Sequence, residues 1–589
     1  MTVTLPTDGR DDKGSALKSN RVLRLWPAIS ILSLQLLALV LTVTPSINNA
    51  TRFGFMILGP AVCVLLFGVW LVFFSRLLWR ERLAILVGMI AGGILAGQFI
   101  DTTMGVTLWI YGAPLVMVLT TATLCLGRHW SPPRKTLAVL AAIIGGCSIF
   151  MVARMEGFDG SYWPELRWRW SESSEMAFAR DSAINNRVGE VESADLEVTA
   201  ADWPGFRGAA RNSQVLDTRI SIEWDASPPR ELWRIPVGPA WSSFAAVGNR
   251  LFTQEQRGDS EVVVCYDADS GVEIWRHADT ARFSEVVSGA GPRATPTFHD
   301  HRLYTLGGRG LLSCLDASNG KLHWSRDLMD EFDAPLPMWG FSASPLVLDE
   351  LVIVYAGASD GRGLVAFDRE TGESKWQVDG SGMNYSSAQL VTLLERQLVL
   401  FASTVKLVAV DPATGAIAWE YEHGGQRSMA IVQPQQISAS SVIVPFGDGG
   451  GVARIDLQME DDTWQVTERW TSNSLKPSFN DFVYYDGHLY GFDQHIFSCT
   501  DAETGQRRWK QGRYGFGQVI LFEEQGLLLI TAEKGELVLL EASPEQHIEI
   551  ARLESLSGKT WNHPTVARNR LLVRNGAEAI CYDLSMGVE

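Results

Sequence analysis

Two hydrophobic rhythms divide the chain. Up to about residue 153 the apolar positions come in unbroken runs, at 25–44, 55–75, 83–100, 105–126 and 136–153, with no charged residue inside any of them. Each run is about long enough, as a helix, to cross roughly 30 Å of hydrocarbon. Five membrane-spanning helices are therefore predicted. From about residue 202 the apolar runs shorten to a few residues, such as Val262-Val263-Val264 and Leu407-Val408-Ala409-Val410, and turn residues part them. That second rhythm belongs to short strands.

The strands carry a signature. Asp-x3-Gly-x3-Trp reads as Asp267-Gly271-Trp275, Asp316-Gly320-Trp324, Asp368-Gly372-Trp376, Asp411-Gly415-Trp419 and Asp501-Gly505-Trp509. Asp accepts turn N–H groups, Gly supplies a positive φ, and Trp on the returning strand offers a large flat ring. One hairpin cannot bury that ring, so the unit has to repeat and stack. Asp456 with Trp470 keeps the ends of the signature around an acidic insertion, Glu460-Asp461-Asp462. The strands at 539–541 and 548–550 lose its Gly and Trp. The last copy, 580–584, stops without an outer strand, while 230–234 matches 272–276 with no repeat before it. An N-terminal strand closing a ring is the arrangement that removes the exposed sheet edge. Innermost strands are expected at 242–244, 295–297, 344–346, 386–388, 429–431, 482–484, 518–520 and 563–565. Residues 202–589 then divide into eight units of about 48 residues, the size of a four-stranded blade.

The expected fold is thus an all-β, eight-bladed propeller at 202–589, closed by its N-terminal strand. Before it come a tail at 1–24, a five-helix transmembrane region at 25–153 and an acidic linker at 154–201. The linker is predicted to be partly helical around Trp163–Trp170 and otherwise a tether.

Charge sets the orientation. Residues 1–153 carry a net +7 and the remainder a net −24, which argues against nucleic acid as a partner. Eleven basic residues fall in the tail and in the second and fourth loops, against Arg52 alone in the first and none in the third. This predicts a cytoplasmic N-terminus and a periplasmic propeller on a multi-pass protein of the cytoplasmic membrane. Gly88-x3-Gly92 and Gly93-x3-Gly97 predict close helix approach. Cys265, Cys314, Cys499 and Cys581 each stand two residues before the signature Asp, where other blades have Ala366 and Ala409, so a small core side chain is expected there. The chain has no Cys-x2-Cys pair and no His-Glu-x2-His, and no metal site is expected.

The strand-Asp-x2-Thr/Ser-Gly-x3-Trp unit resembles the tryptophan-docking repeat of quinoprotein dehydrogenases, which use pyrroloquinoline quinone (PQQ), and of the BamB-type assembly propellers. The segments 202–208, 291–297, 339–345 and 559–564 are similar to those of PQQ-binding-like repeat proteins. The resemblance implies the fold over essentially all of 202–589. For chemistry it implies PQQ with calcium over the ring axis, an Asp as general base and, in many members, adjacent cysteines. This chain has no adjacent cysteine pair, and no calcium set maps onto it. Its helices before a propeller are similar in layout to membrane-bound glucose dehydrogenases. Two functions are therefore expected: an envelope scaffold or ligand- and protein-binding module, or a PQQ-dependent dehydrogenase passing electrons from an alcohol or sugar to membrane quinone.

The loops leading into the innermost strands gather at one mouth of the channel, the default pocket. They contain Trp241, Phe283, Glu285, Arg293, Asp333, Trp339, Asn384, Tyr385, Arg427, Asn480, Phe516, Lys559 and Trp561. Rings beside cations suit a protein, a peptide or a flat anionic ligand such as PQQ. Asp333 and Glu285 are the acids to test as a base. The alternative is that Trp339 and Trp561 merely plug the channel, Arg293 pairs with Glu285, and Ser386-Ser387 bond to backbone.

Overall fold

The computed structural model describes residues 23–44, 47, 49–184, 196–358, 361–380, 384–423, 430–447 and 449–585. It divides into two compact units. One holds the apolar helices; the other comprises Trp170–Glu589 together with Val43–Arg52 and Glu156–Leu166.

The apolar runs are helices, Trp26–Thr42, Asn49–Val69 extended by a π turn to Phe74, Trp79–Phe99, a helical stretch over Thr102–Leu126, and Pro132–Met151. Four of these are long and apolar enough to cross a membrane; the first, Trp26–Thr42, is shorter. A Cβ on Gly88 or Gly92 would run into Leu140 and Ile143, so this pair does seat the helix Pro132–Met151. Gly93 and Gly97 face open space, and the second Gly-x3-Gly makes no such contact. Lys135 and Glu81 join the ends of the two packed helices at 3.3 Å.

Eight antiparallel sheets form the propeller. Blade 1 runs Ala245–Val247, Arg250–Arg257, Ser260–Asp267 and Glu273–Asp279, and the next six repeat that order. Blade 8 takes Thr565–Ala567, Arg570–Arg574 and Glu578–Asp583 from the C-terminus and Arg230–Pro236 from the N-terminal side, with Cys581 opposite Trp233. The ring closes as the orphan strand at 230–234 predicts.

The signature works between blades. Trp275 Nε1 donates to Ala317 O at 3.0 Å and Trp376 Nε1 to Pro412 O at 3.0 Å, each into the Asp-x3-Gly turn of the following blade. Within a turn, Asp267 Oδ1 accepts the Asp269 and Ser270 N–H groups. Gly320 has φ +73° and a Cβ there would lie 2.4 Å from the Trp275 ring, so the glycine permits both turn and docking. Trp419 faces the degenerate fifth blade, and its Nε1 has no partner among the described residues. The four signature-linked cysteines are fully buried core residues with free thiols.

Most innermost strands start later than expected, at Ala245, Thr297, Leu346, Gln389, Gln435 and Thr565. The Ser/Thr segments assigned to them are the loops leading in, held by hydroxyls from neighbouring blades. Ser243 N donates to Thr295 Oγ1 (3.0 Å), Thr295 N to Ser344 Oγ (2.9 Å) and Ser344 N to Ser387 Oγ (2.8 Å). Met429, the start of the expected fifth strand, lies outside the described residues.

In the linker, the segment expected to be helical is instead a strand, Pro164–Trp168, paired with Ala153–Phe158. Trp163, Trp168 and Trp170 are large rings on a short amphipathic stretch, and such residues favour extended backbone. A helix does follow, at Ser174–Ile184, and 185–195 lie outside the described residues.

Candidate functional site

A cavity of about 200 Å³ lies at the mouth of the ring. Its walls come from the loops leading into several blades, its floor from one N-terminal segment and its roof from another.

The floor is the stretch after Asp202, which runs across the channel. Trp203 pairs with Ala246 of blade 1, Phe298 N donates to Pro204 O, and Leu521 N of blade 7 donates to Ser213 O. Two buried arginines fasten it. Arg211 donates to Ala388 O at 2.8 Å and to Ser344 O at 3.3 Å, and burial pushes its guanidinium down to about 9. Arg207 donates to Ser213 Oγ (2.8 Å) and Phe482 O (3.1 Å) and lies 3.0 Å from Asp481 Oδ2. Asp481 also meets His563 Nε2 at 2.5 Å. Burial by itself raises this carboxyl, but Arg207 and His563 outweigh it and hold Asp481 below the usual range.

The roof is the tip of the hairpin, Glu156–Leu166. Phe158 N donates to Val287 O at 2.8 Å, Lys559 Nζ donates to Phe158 O at 3.0 Å, and Lys559 pairs with Glu165 at 3.1 Å. Gly160 N donates to Glu533 Oε1 at 2.7 Å, and a Cβ on Gly160 would collide with the Phe516 ring. Glu533 also accepts from Trp561 Nε1 (3.0 Å) and Phe516 N (3.1 Å). Burial raises its carboxyl above the ordinary carboxylate range, against those hydrogen bonds.

Of the residues picked from sequence, Trp241, Arg293, Trp339, Tyr385 and Trp561 line this cavity. Trp241 and Trp561 are 5.0 Å apart, centroid to centroid, and Trp339 and Tyr385 5.1 Å. Arg293 lies over Phe283 and is held by Glu285 (3.2 Å), Ser288 Oγ (2.9 Å) and Gly289 O (3.0 Å); burial pushes it down to about 10. Glu285 in turn accepts from Val287 N, Ser288 N and the Ser288 hydroxyl. Lys559 and Phe516 stand behind the lining. Asn384 and Asn480 are buried in loop hydrogen bonds, Asn384 taking Ser386 N and Asn480 bridging Ser478 N and Gln494 O. Asp333 ends the short helix Leu328–Phe332 as an exposed C-cap and is not among the lining residues. Arg427 lies outside the described residues. Sequence reasoning missed Asp159, Arg207, Asp481, Glu533 and His563. Asp481 and His563 sat within or beside segments already singled out, whereas nothing in the spacing brings Gly160 to Glu533.

The donor set does not fit PQQ with calcium. Arg207, Arg293 and Lys559 are spent on carboxylates of this chain and Arg211 on backbone carbonyls, which leaves no cation for a tricarboxylate among these described residues. Calcium takes about six to eight oxygens. Among the described residues no cluster of three acidic, His or Cys side chains could hold a metal ion.

The family model described as outer membrane protein assembly factor BamB matches residues 258–511. The matched stretch lies within the propeller, from blade 1 into blade 6. Quinohemoprotein alcohol dehydrogenase ADH IIB of Pseudomonas putida is 25% identical over 165 residues, which are 25% of this chain and 22% of that protein. The match therefore spans about a fifth of the curated relative's length. Among solved structures, BamB from Moraxella catarrhalis is similar at TM-score 0.44 and 16% identity, covering 61% of this chain and 99% of that one. Quinohemoprotein alcohol dehydrogenase from Comamonas testosteroni is similar at TM-score 0.48 and 13% identity, covering 70% and 85%.

Proposed function

We propose that this protein is a multi-pass protein of the cytoplasmic membrane that displays its propeller in the periplasm as a recognition module, binding a small ligand or a group on a protein partner in the mouth cavity. The observation that carries this reading is the commitment of the mouth's charged groups. Among the described residues Arg207, Arg293 and Lys559 are each paired with a carboxylate, so the cavity offers aromatic surface with a few polar groups, the make-up of a binding pocket.

Orientation is supported by Arg52, the basic residue that counts against the charge bias. Its guanidinium donates to Ser161 O at 3.1 Å and lies over the Tyr162 ring, so its role is to hold the roof hairpin. The loop before the second helix and the segment after the fifth both belong to the propeller unit. In a bundle of five crossings those two segments emerge on one face, opposite the basic loops.

A PQQ-dependent dehydrogenase is the second reading, supported by the 165-residue match to a quinohemoprotein alcohol dehydrogenase. Titration of the full chain in detergent with PQQ and calcium separates the two. We expect no saturable binding and no reduction of an artificial acceptor by alcohols or sugars. Cofactor-dependent turnover would replace the first reading with the second.

A further inference from the structure

Three ion pairs surround the cavity, Arg207 with Asp481, Arg293 with Glu285 and Lys559 with Glu165. They cancel. Arg211 in the floor is held by backbone carbonyls, and two carboxylates, Asp159 and Glu533, have no ion-pair partner among the described residues. The acceptors of Glu533 are filled by three N–H groups. Asp159 is different. Its Oδ1 accepts both Ser161 N (2.9 Å) and Trp163 N (2.8 Å), while Oδ2 has no hydrogen-bond partner among the described residues, and the side chain lines the cavity. Burial raises the Asp159 carboxyl above its ordinary value, against the two turn N–H groups and the nearby Lys559, so a further positive charge beside it is welcome.

Two of the rings already carry an ammonium, from behind the lining. Lys559 Nζ lies 4.8 Å from the centre of the Trp561 ring and 5.6 Å from that of Trp241, within the range of a cation–π contact. Trp241, Trp339, Phe479 and Trp561 all line the cavity. Aromatic walls and one open carboxylate oxygen form a cage for a cation, not a cradle for an anion.

We propose that the mouth cavity is an ammonium site, taking an alkylammonium or quaternary ammonium group between the tryptophan walls and the Asp159 carboxylate. This assignment rests on the recognition reading and names the chemistry of its ligand. It also gives the roof hairpin a part in binding, because Asp159 arrives on that hairpin and is in place while Gly160 is seated against Glu533.

The test is calorimetric titration of the full chain in maltoside micelles with three probes. These are choline, its uncharged isostere carrying a tert-butyl group in place of trimethylammonium, and trimesate, a flat tricarboxylate. Choline is expected to bind saturably and the isostere at least about tenfold more weakly, the scale of a desolvated cation–π and carboxylate contact. Asp159→Asn keeps an oxygen for the two turn N–H groups. It is expected to weaken choline by about fivefold or more while leaving the isostere unchanged. Equal binding of choline and isostere, or binding of trimesate alone, overturns the ammonium assignment and leaves the recognition reading standing. If none of the three binds, the cavity reading falls with it.

Discussion

The outer parts of the blades and the mouth of the ring are built from the same strands on opposite principles. Outside, one contact recurs: a tryptophan docks on the Asp-x3-Gly turn of the following blade, its Nε1 on a carbonyl about 3.0 Å away. At the mouth a Ser or Thr hydroxyl still ties one loop to the next, but the larger side chains facing the cavity do not recur. The loops end in Trp241, Arg293, Trp339, Tyr385, Asp481 or Trp561, and two segments from outside the repeats complete the cavity. Repetition supplies closure and stability, and departures from it supply a site. The fifth blade shows that even outside the ring the rule is local, since where the turn is degenerate the preceding Trp419 loses its acceptor.

This contrast can be broken by mutation. The largest effect is expected at a docking turn. Gly320→Val forces a β-branched residue to φ +73° and drives its Cβ into Trp275. A loss of about 3 kcal/mol or more in chemical denaturation of the propeller follows, and an unchanged midpoint would show that docking is not what joins the blades.

Next is Glu261, buried between blades 1 and 2 and accepting Gly308 N–H at 2.9 Å. Burial pushes its pKa up to about 7, from an ordinary 4.5. Because the folded pKa is the higher, its contribution is fully present below about 4.5 and lost as pH rises through about 7. Wild type should therefore lose stability across that window relative to Glu261→Gln, by at most about 3 kcal/mol. Parallel Tm–pH curves for the two proteins would remove Glu261 from the account.

A finer comparison uses two tryptophans. Trp376→Phe gives up the bond to Pro412 O and should cost about 1 kcal/mol more than Trp419→Phe, which has none to lose. Equal costs in a denaturation series would mean that the ring alone carries the docking.

The smallest global effect is expected at the mouth. Gly160→Ala should move Tm by little, yet unseat the hairpin, read as faster amide exchange across 156–166. Unchanged exchange there would show that the roof is held by Lys559 and Phe158 without Gly160.

Read by itself, the sequence carried the ring, its eightfold count and its closure, because each rests on a spacing that recurs and on strands that need a neighbour. It carried the apolar helices for a similar reason: hydrocarbon length is written in residue counts. It also picked out Trp241, Arg293, Trp339, Tyr385 and Trp561, since the loops before each innermost strand must converge. What it could not carry is which of those groups remain free. The sequence left open whether Arg293 pairs with Glu285, and Lys559 read as an available cation until folding sets Glu165 beside it. The floor at Arg207 and Asp481, 274 positions apart, and the roof at Gly160 and Glu533 join residues with no shared period. Periodicity records what each blade does for its neighbour. The charge left in the cavity depends on long-range pairing, and only the tertiary structure decides that.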